Sequence, residues 1–256
     1  MKGLPEGGRA PASHEEERAS PDPKRWRALI VTQLAMFMIL LDVSIVNVAL
    51  PSIEREFAVP AATAQWVVSG YALTLGLTLV PAGRLGDAFG RRRMLLVGLA
   101  AFVLTSAVTG AAPSAEALIA ARLLQGVAGG LLIPQNSGLI QEHFAGAERG
   151  RAFGILGSTI GLATAAGPVV GGLILSSAQG QDAWRWVFYV NVPIGLITLP
   201  LAMRLVRSST GQGHRDTHLD VIGSLLLGAG SKSSPDRGQI RPPGRTNGRH
   251  TMHNST

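Results

Sequence analysis

The sequence ALIVTQLAMFMILLDVSIVNVAL, residues 28–50, is an apolar run that contains one charged side chain, Asp42. As a helix that rises about 1.5 Å per residue, a run of about 20 apolar residues is long enough to cross the hydrocarbon core of a bilayer. A soluble domain of this size rarely needs such a run. The stretch therefore predicts a membrane-spanning helix.

Five further apolar runs of similar length follow the first. Hydrophobic residues make up 46% of the 256-residue chain and charged residues 15%, but the charges are concentrated at the two ends and in short loops. Since lipid offers the backbone no hydrogen-bonding partner, each span should be helical. The predicted fold is an all-α polytopic membrane protein with a six-helix bundle over residues 28–206. The five later spans are predicted at residues 66–83, 94–112, 118–140, 152–176 and 187–206.

Basic residues alternate between the connections. Lys and Arg accumulate before the first span, between the second and third, between the fourth and fifth, and after the sixth, while the other connections contain few. Because cytoplasmic loops carry the excess of Lys and Arg, the alternation predicts an inner (cell) membrane protein with a cytoplasmic N-terminus. All four tryptophans lie at predicted span ends, as expected of an interfacial belt. Topology explains the net charge of +7 better than nucleic acid binding does.

The two ends of the chain differ from the spans in composition. Residues 1–27 are rich in Pro, Gly, Glu and Arg, which indicates a disordered cytoplasmic tail. Residues 207–230 contain a cytoplasmic loop and a seventh apolar run, which begins near Leu219 and is too short to span a bilayer. Residues 231–256 are polar, basic and Pro-rich. We expect a truncated seventh span followed by a disordered basic tail, either frame-shifted or genuine.

One charged residue, Asp42, is predicted to lie near the centre of the first span. An ionised carboxylate at this depth is costly unless it is paired or hydrated, and the low dielectric favours its neutral form. One interpretation is a proton or cationic-substrate site that faces a cavity. The alternative is a structural partner for a neighbouring helix.

The fourth span contains Arg122 and Gln125, which are three residues apart and share a helix face. Arg122 should lie a turn or two from the outer surface, at a depth similar to that of Asp42. The two could pair directly or through water, which would place Asp42, Arg122 and Gln125 in one site. The alternative is that Arg122 extends along the lipid side toward the surface.

The connection GRLGDAFGRRR, residues 83–93, predicts a tight cytoplasmic turn. Gly86 and Gly90 permit a sharp backbone. Asp87 can cap the next helix or bind one of the arginines that follow. Such a latch would hold helices together on one side of the membrane and open when they part. The residues assigned to this cytoplasmic latch are Gly83, Asp87, Gly90, Arg91 and Arg92.

The fifth span is the richest in small residues. Gly157, Gly161 and Ala165 recur every four residues, which gives one face that another helix can approach closely. Farther along, AAGPVVGG contains a proline that removes a backbone donor and bends the helix, with glycines on both sides. Ordinary tight packing is the alternative to a functional hinge. The residues singled out in this span are Gly161, Gly167, Pro168, Gly171 and Gly172.

Enzyme, metal and nucleotide chemistry are not indicated. The chain has no cysteine, and its histidines lie outside the predicted spans. The segment GPVVGG is not a nucleotide-binding loop, because no strand precedes it and it lies within an apolar span. We therefore expect a protein that is not an enzyme and that uses no metal or organic cofactor.

These motifs, in this order, resemble the signature set of the major facilitator superfamily. GRLGDAFGRRRML (residues 83–95) resembles the motif between its second and third helices, and LIAARLLQGVAGG (residues 118–130) its fourth-helix motif. AAGPVVGG resembles the fifth-helix motif associated with antiporters. Ala128 and Ala163 stand where glycine is usual.

Two further segments resemble the fourteen-span drug:proton antiporter branch of that superfamily. They are LLDVSIVNVALPSI in the first span and WRWVFYVNVPIG at the start of the sixth. The resemblance covers about residues 26–230. It implies alternating access, in which two bundles rock about a central cavity and proton influx drives the export of small lipophilic, often cationic, compounds. The energy source would be the proton gradient.

The resemblance also implies roles for individual residues. Asp42 and Arg122 would be the proton-linked pair, Asp87 with Arg91 the latch, and Gly167 with Pro168 the flexible element of the fifth helix. Rocking needs a second bundle, so we expect this N-terminal portion to be inactive unless a second chain supplies the missing half. The alternatives are a metabolite exporter with the same fold, and a non-transporting fragment or partner membrane subunit.

Overall fold

The computed structural model describes residues 25–178 and 180–206. The seventh apolar run near Leu219 and the basic segment after it lie outside the described residues, as does most of the predicted N-terminal tail. The described elements are α1 (Arg25–Phe57), α2 (Ala61–Ala64), α3 (Trp66–Phe89), α4 (Arg91–Gly110), α5 (Ala115–His143), α6 (Gly146–Ser177), a 3-10 helix (Gln181–Trp184), α7 (Arg185–Tyr189) and α8 (Asn191–Leu205).

Six helical stretches are long and apolar enough to cross a bilayer. They are α1, α2 with α3, α4, α5, α6, and the stretch from Asp182 to Leu205. The prediction of an all-α protein with a six-helix bundle is confirmed. The end of the bundle where α1 begins, α3 meets α4, α5 meets α6, and α8 ends is called the arginine-rich end, and the opposite end the outer end.

The helices extend beyond several of the predicted spans. α1 begins at Arg25 rather than at residue 28 and ends at Phe57 rather than at residue 50. An apolar run marks only the part of a helix that lies in hydrocarbon, while the backbone remains hydrogen-bonded through the headgroup region. Residues 25–27, which were predicted to belong to the N-terminal tail, are therefore part of the first turn of α1.

The sixth predicted span is divided into shorter helices. α7 ends at Tyr189 and α8 begins at Asn191, so the prediction of one helix over residues 187–206 is wrong in this detail. Pro193 explains the division, because it has no N–H to donate to the carbonyl four residues earlier, that of Tyr189. Proline is tolerated in the first turn of a new helix, where that donor is not needed.

α1 is the central helix of the bundle and packs against α5, α6 and α8. Of the apolar window of α1, 67% is buried, compared with 22% for α2 with α3 and 17% for α6. α5 packs against both α3 and α4. α3 and α6 therefore leave most of their surfaces open to lipid or to a second bundle.

The close contact of α6 with α1 uses a different face from the one predicted. Cβ atoms on Gly157 and Gly161 would meet nothing within 4 Å. The packed face instead contains Ala163, Gly167 and Gly171, which are all buried. A four-residue repeat of small residues occurs on both faces, and α1 lies against only one of them.

Candidate functional site

Asp42 and Arg122 form an ion pair inside the bundle. Arg122 Nη1 lies 2.6 Å from Asp42 Oδ2, and the two side chains are 1% and 0% exposed, respectively. The interpretation in which Arg122 extends through lipid to the surface is therefore wrong. The pair joins α1 to α5 across the centre of the bundle.

Two amide side chains also bind the carboxylate of Asp42. Gln125 Nε2 donates to Oδ1 over 3.1 Å, and Asn191 Nδ2 donates to the same atom over 2.8 Å. With the guanidinium of Arg122, the carboxylate has three donors, two from α5 and one from α8. Such donors replace the water that an ionised carboxylate loses on burial.

The guanidinium of Arg122 is enclosed as tightly as its partner. Arg122 Nε donates to the carbonyl oxygen of Val67 over 3.0 Å, and Nη1 donates to Gln125 Oε1 over 2.8 Å. The Arg122 Cζ atom lies 3.9 Å from the centroid of the Tyr71 ring and 5.6 Å from that of Phe188. The aromatic faces add cation–π attraction, which is strongest where water is excluded.

α4 reaches the site through two hydroxyl groups. Gln125 Nε2 donates to Ser106 Oγ over 2.8 Å, and Thr109 Oγ1 donates to Gln125 Oε1 over 3.3 Å. Gln125 is therefore held on both sides, and its amide orientation is fixed. The buried polar site consists of Asp42, Ser106, Thr109, Arg122, Gln125 and Asn191.

Asp42 does not line an open cavity in this structure. In this conformation Asp42 binds side chains of α5 and α8, and its role as a proton or cationic-substrate site stays a prediction. Removal of either charged side chain would leave the other buried without a counter-ion, which is strongly unfavourable.

Sequence reasoning missed four residues in or around this site. Asn191, Ser106 and Thr109 bind Asp42 or Gln125 directly, and Tyr71 covers the guanidinium of Arg122. Asn191 could have been found, because a polar amide in an apolar span is expensive and usually has a partner. The two hydroxyl residues carry no such signal, since a hydroxyl can bond to the preceding turn of its own helix.

The predicted latch residues form contacts within the bundle. Arg91 Nη2 lies 2.7 Å from Asp87 Oδ1, and Arg91 Nε lies 2.6 Å from Glu142 Oε1. Arg92 donates to the carbonyl oxygens of Val206 at 2.5 Å and Met203 at 2.6 Å. The arginine-rich end therefore ties the α3–α4 junction to the last turns of α5 and α8.

The backbone of this junction differs from the predicted turn. α3 continues to Phe89, so Gly83, Gly86 and Asp87 are helical, and Gly90 alone makes the turn, at φ +94°. The proposed turn role of Gly86 is wrong. It gives close approach instead, because a Cβ there would overlap the side chain of Gln135. Asp87 does not cap α4, since its N-cap is Gly90 without a side-chain bond.

The outer end carries a second set of arginine contacts, all made by Arg185, that sequence reasoning missed. Arg185 Nη2 lies 3.0 Å from Glu56 Oε1, and Arg185 Nη1 donates to the carbonyl oxygens of Gly110 and Ala112 at 3.0 and 2.7 Å. The indole N–H of Trp184 donates to the carboxylate of Glu56. This outer clasp joins the end of α1, the end of α4 and the start of α7.

Comparison with known protein families agrees with the six-helix membrane fold. Residues 33–236 match the family described as the Major Facilitator Superfamily. The chain belongs to the major facilitator superfamily. It is accordingly a multi-pass membrane protein, embedded in lipid, of a family of transporters rather than enzymes.

Relatives within the superfamily are longer than this chain. It is 42% identical over 207 residues to the puromycin resistance protein Pur8 of Streptomyces alboniger, and 38% identical over 229 residues to the probable actinorhodin transporter of Streptomyces coelicolor. The matches cover 80% and 89% of this chain but 40% and 39% of those proteins. The chain therefore spans about two fifths of the length of the curated relatives it matches.

A solved major facilitator structure shows the same fold. The inward-facing, occupied structure of a bacterial homologue of the human lysosomal transporter Spinster matches with a TM-score of 0.63 and 19% identity. The match covers 82% of this chain and 51% of that one. At this identity the likeness establishes the fold alone. The six-helix bundle is the N-terminal half of the major facilitator fold.

Proposed function

We propose that this bundle is the N-terminal half of a proton-coupled exporter of small lipophilic compounds, of the fourteen-span drug:proton antiporter type. The fully buried pair of Asp42 and Arg122 carries the proposal. A charged pair inside a membrane bundle is expensive, and such groups usually belong to an ion or substrate pathway. The names of the two relatives, a puromycin resistance protein and a probable actinorhodin transporter, support export of small organic molecules.

The proposed driving force is the proton gradient, with no cofactor. When Asp42 takes up a proton, Arg122 loses its counter-ion and moves toward another acceptor or toward water. Arg122 also binds the carbonyl of Val67 on α3 and lies on α5. Its movement therefore changes how α1, α3 and α5 pack, which links protonation to a shift between two conformations.

The substrate proposal follows from the saturation of Asp42. A carboxylate that already has three donors and no exposed surface offers nothing to a cationic substrate in this conformation. We propose that this half contacts its substrate through neutral side chains. Lipophilicity, rather than charge, would then decide binding to this half.

Transport is proposed to need a second bundle. Rocking requires two bundles, and the described residues form one. The open surfaces of α3 and α6 suit contact with the other. Further residues of a longer protein or a partner chain would supply it, and the chain alone is not expected to transport.

The proposed location is the inner membrane, with the N-terminus cytoplasmic. Arg25 pairs with Glu148, and Arg92 binds the end of α8, so the basic connections lie together at one end of the bundle. Basic connections favour the cytoplasmic side. The arginine-rich end would therefore face the cytoplasm.

Dye efflux tests the proposal in cells that lack their own efflux pumps and express this chain with a complementary second half. We expect Asp42→Asn to abolish proton-driven efflux. Asp182→Asn is the matched control, because the Asp182 side chain is 76% exposed at the outer end, and it should retain efflux. Efflux that survives Asp42→Asn contradicts proton coupling at this residue. Efflux by the chain alone contradicts the need for a second bundle.

A further inference from the structure

Five buried side-chain atoms have no hydrogen-bond partner among the described residues. Each belongs to a side chain of a residue that is at most 5% exposed, and each lies on or beside α5 or in the polar site that α5 carries. The atoms are Gln33 Oε1, Tyr71 Oη, Gln135 Oε1, Asn136 Nδ2 and Asn191 Oδ1. A buried polar atom without a partner costs about 1–3 kcal/mol, so apolar side chains would be cheaper at these positions.

Four of these atoms lie along one face of α5 and in the polar site, whereas the fifth, Gln135 Oε1, lies beside Gly86 of α3. Residues seven apart are two turns apart and share a helix face. The hydroxyl of Tyr71 lies beside Gly129, where a Cβ would be 2.9 Å from it. The amide of Gln33 meets that of Asn136, with Nε2 donating to Oδ1 over 3.4 Å. The α5 positions on this face are Arg122, Gly129, Asn136 and His143.

A small cavity lies where this face reaches the arginine-rich end. The cavity has a volume of about 20 Å³, which is enough to hold one water molecule. Thr32, the neighbour of Gln33 in the chain, and His143 both line it. His143 Nδ1 lies 2.9 Å from the carbonyl oxygen of Leu139, so its Nε2 is left for another partner. Polar groups thus occur at intervals from the surface of the bundle to the polar site.

We infer that these groups hold water molecules and form the route by which a proton passes between the arginine-rich end and Asp42. The inference rests on the proposed function and deepens it. Gln33 Oε1 can accept a hydrogen bond from a water molecule, and Asn136 Nδ2 can donate one to the same water. The water carries the proton, and the neutral amides only orient the water. The Tyr71 hydroxyl both donates and accepts. Each carrier takes one proton and releases another, and the last proton goes to the Asp42 carboxylate.

Apolar packing interrupts the route in this conformation. Tyr71 belongs to the same core cluster as Met36, Leu99 and Leu132. Continuous water would need α1 and α5 to separate slightly, which the movement of Arg122 would promote. A route that fills with water in only one conformation prevents a free leak of protons through the bundle.

Single cysteines test for water along the route, because the natural chain contains none. The chain is reconstituted in lipid vesicles and exposed to a small charged methanethiosulfonate, which reacts with the thiolate and therefore needs water at the sulfur. Gln33→Cys and Asn136→Cys place the probe on facing helices. Leu99→Cys, at a core position with 0% exposure, is the dry control. We expect labelling at both route positions to be about tenfold faster than at the control.

Labelling no faster than the control at both positions overturns the water route. Two positions on different helices guard against one substitution that disturbs folding. Because labelling requires no transport, the outcomes separate from those of the proposed function. If labelling is slow but efflux depends on Asp42, the water route is refuted and the proposal of a proton-coupled exporter is retained. If labelling is fast but efflux is unchanged in Asp42→Asn, proton coupling at Asp42 is refuted. The proton-carrying role of the water is then refuted as well.

A double substitution tests the proton-carrying role directly. Gln33→Leu with Asn136→Leu removes both amides and keeps the volume similar. In the dye-efflux assay we expect proton-driven efflux to fall about tenfold, while the thermal midpoint in detergent stays the same or rises, because two unsatisfied groups are lost. Unchanged efflux would show that the amides only pack the helices, and would refute the route.

Discussion

The guanidinium of Arg91 lies 2.6 Å from the carboxylate of Glu142, a residue 51 positions later in the chain. This contact, the bonds from Arg92 to the end of α8, and the outer clasp of Arg185 all join helices of the same bundle. Arginine contacts therefore hold the bundle at both ends. Such a bundle suits movement as a rigid body, which is the motion that rocking transporters require.

Replacement of Glu142 should weaken the arginine-rich end modestly. Glu142→Gln removes the partner of Arg91 Nε, and both side chains are partly exposed, so we expect a loss of up to about 1 kcal/mol in the free energy of unfolding. The loss should shrink at high salt, because salt screens exposed ion pairs. Thermal unfolding in detergent at two salt concentrations measures this. Glu54→Gln is the control, since Glu54 forms no ion pair among the described residues. An equal loss in both variants would contradict a specific role for Glu142.

Two alanine substitutions on α6 should have opposite effects. A Cβ on Gly167 would overlap the side chain of Ser44 on α1, so Gly167→Ala should destabilise the bundle by about 1–3 kcal/mol. Gly161→Ala meets nothing within 4 Å and should stabilise the helix by about 0.5–1 kcal/mol, because alanine is the better helix former. Thermal midpoints of the two variants compare the two faces. A Gly167→Ala variant as stable as the natural chain would mean that α1 and α6 are less closely packed.

Removal of one member of the buried ion pair should be far more harmful than removal of both. Arg122→Ala leaves the Asp42 carboxylate without its cation and should cost about 3–5 kcal/mol. Arg122→Met combined with Asp42→Leu should recover most of this loss, because no buried charge remains. Unfolding by heat in detergent distinguishes the cases. Arg204→Ala, at an exposed position, is the control. Additive losses in the double variant would show that the two groups do not interact.

The outer clasp should contribute more than an ordinary surface arginine. Arg185→Ala removes donors to Glu56 and to the carbonyls of Gly110 and Ala112, and we expect a loss of about 2 kcal/mol. Arg55→Ala is the matched control, because Arg55 binds only residues of its own helix. Tryptophan fluorescence follows the unfolding of both variants, since Trp184 lies in the clasp. Equal midpoints would mean that the clasp does not stabilise the outer end.

Much of the fold could be predicted from local sequence. Each apolar run had to form a helix, because lipid cannot satisfy the backbone, and this holds whatever the neighbouring helices are. Exact helix ends could not be predicted, as α1 shows by extending to Phe57. The division near Tyr189 and Asn191 was predictable in principle, since Pro193 lacks the donor that a continuous helix needs.

The candidate site could be predicted only in part. The charges of Asp42 and Arg122 stand out in apolar spans, so their spans and approximate depth follow from residue counts. Asn191 is 149 positions from Asp42, and no local pattern links the two. The role of Gly86 was misassigned for the same reason, because its neighbour Gln135 comes from a distant helix.

The sequence by itself determined that six helices cross a membrane and that a carboxylate and a guanidinium lie within them. Those properties depend on the free energy of transferring each residue into lipid, which is local and additive along a helix. Only the tertiary structure decided that Asp42 is enclosed by α5 and α8 rather than open to a cavity, and that α6 packs through Gly167 rather than Gly161. Such choices depend on the rotation of whole helices about their axes, which is set by the packing of all six together.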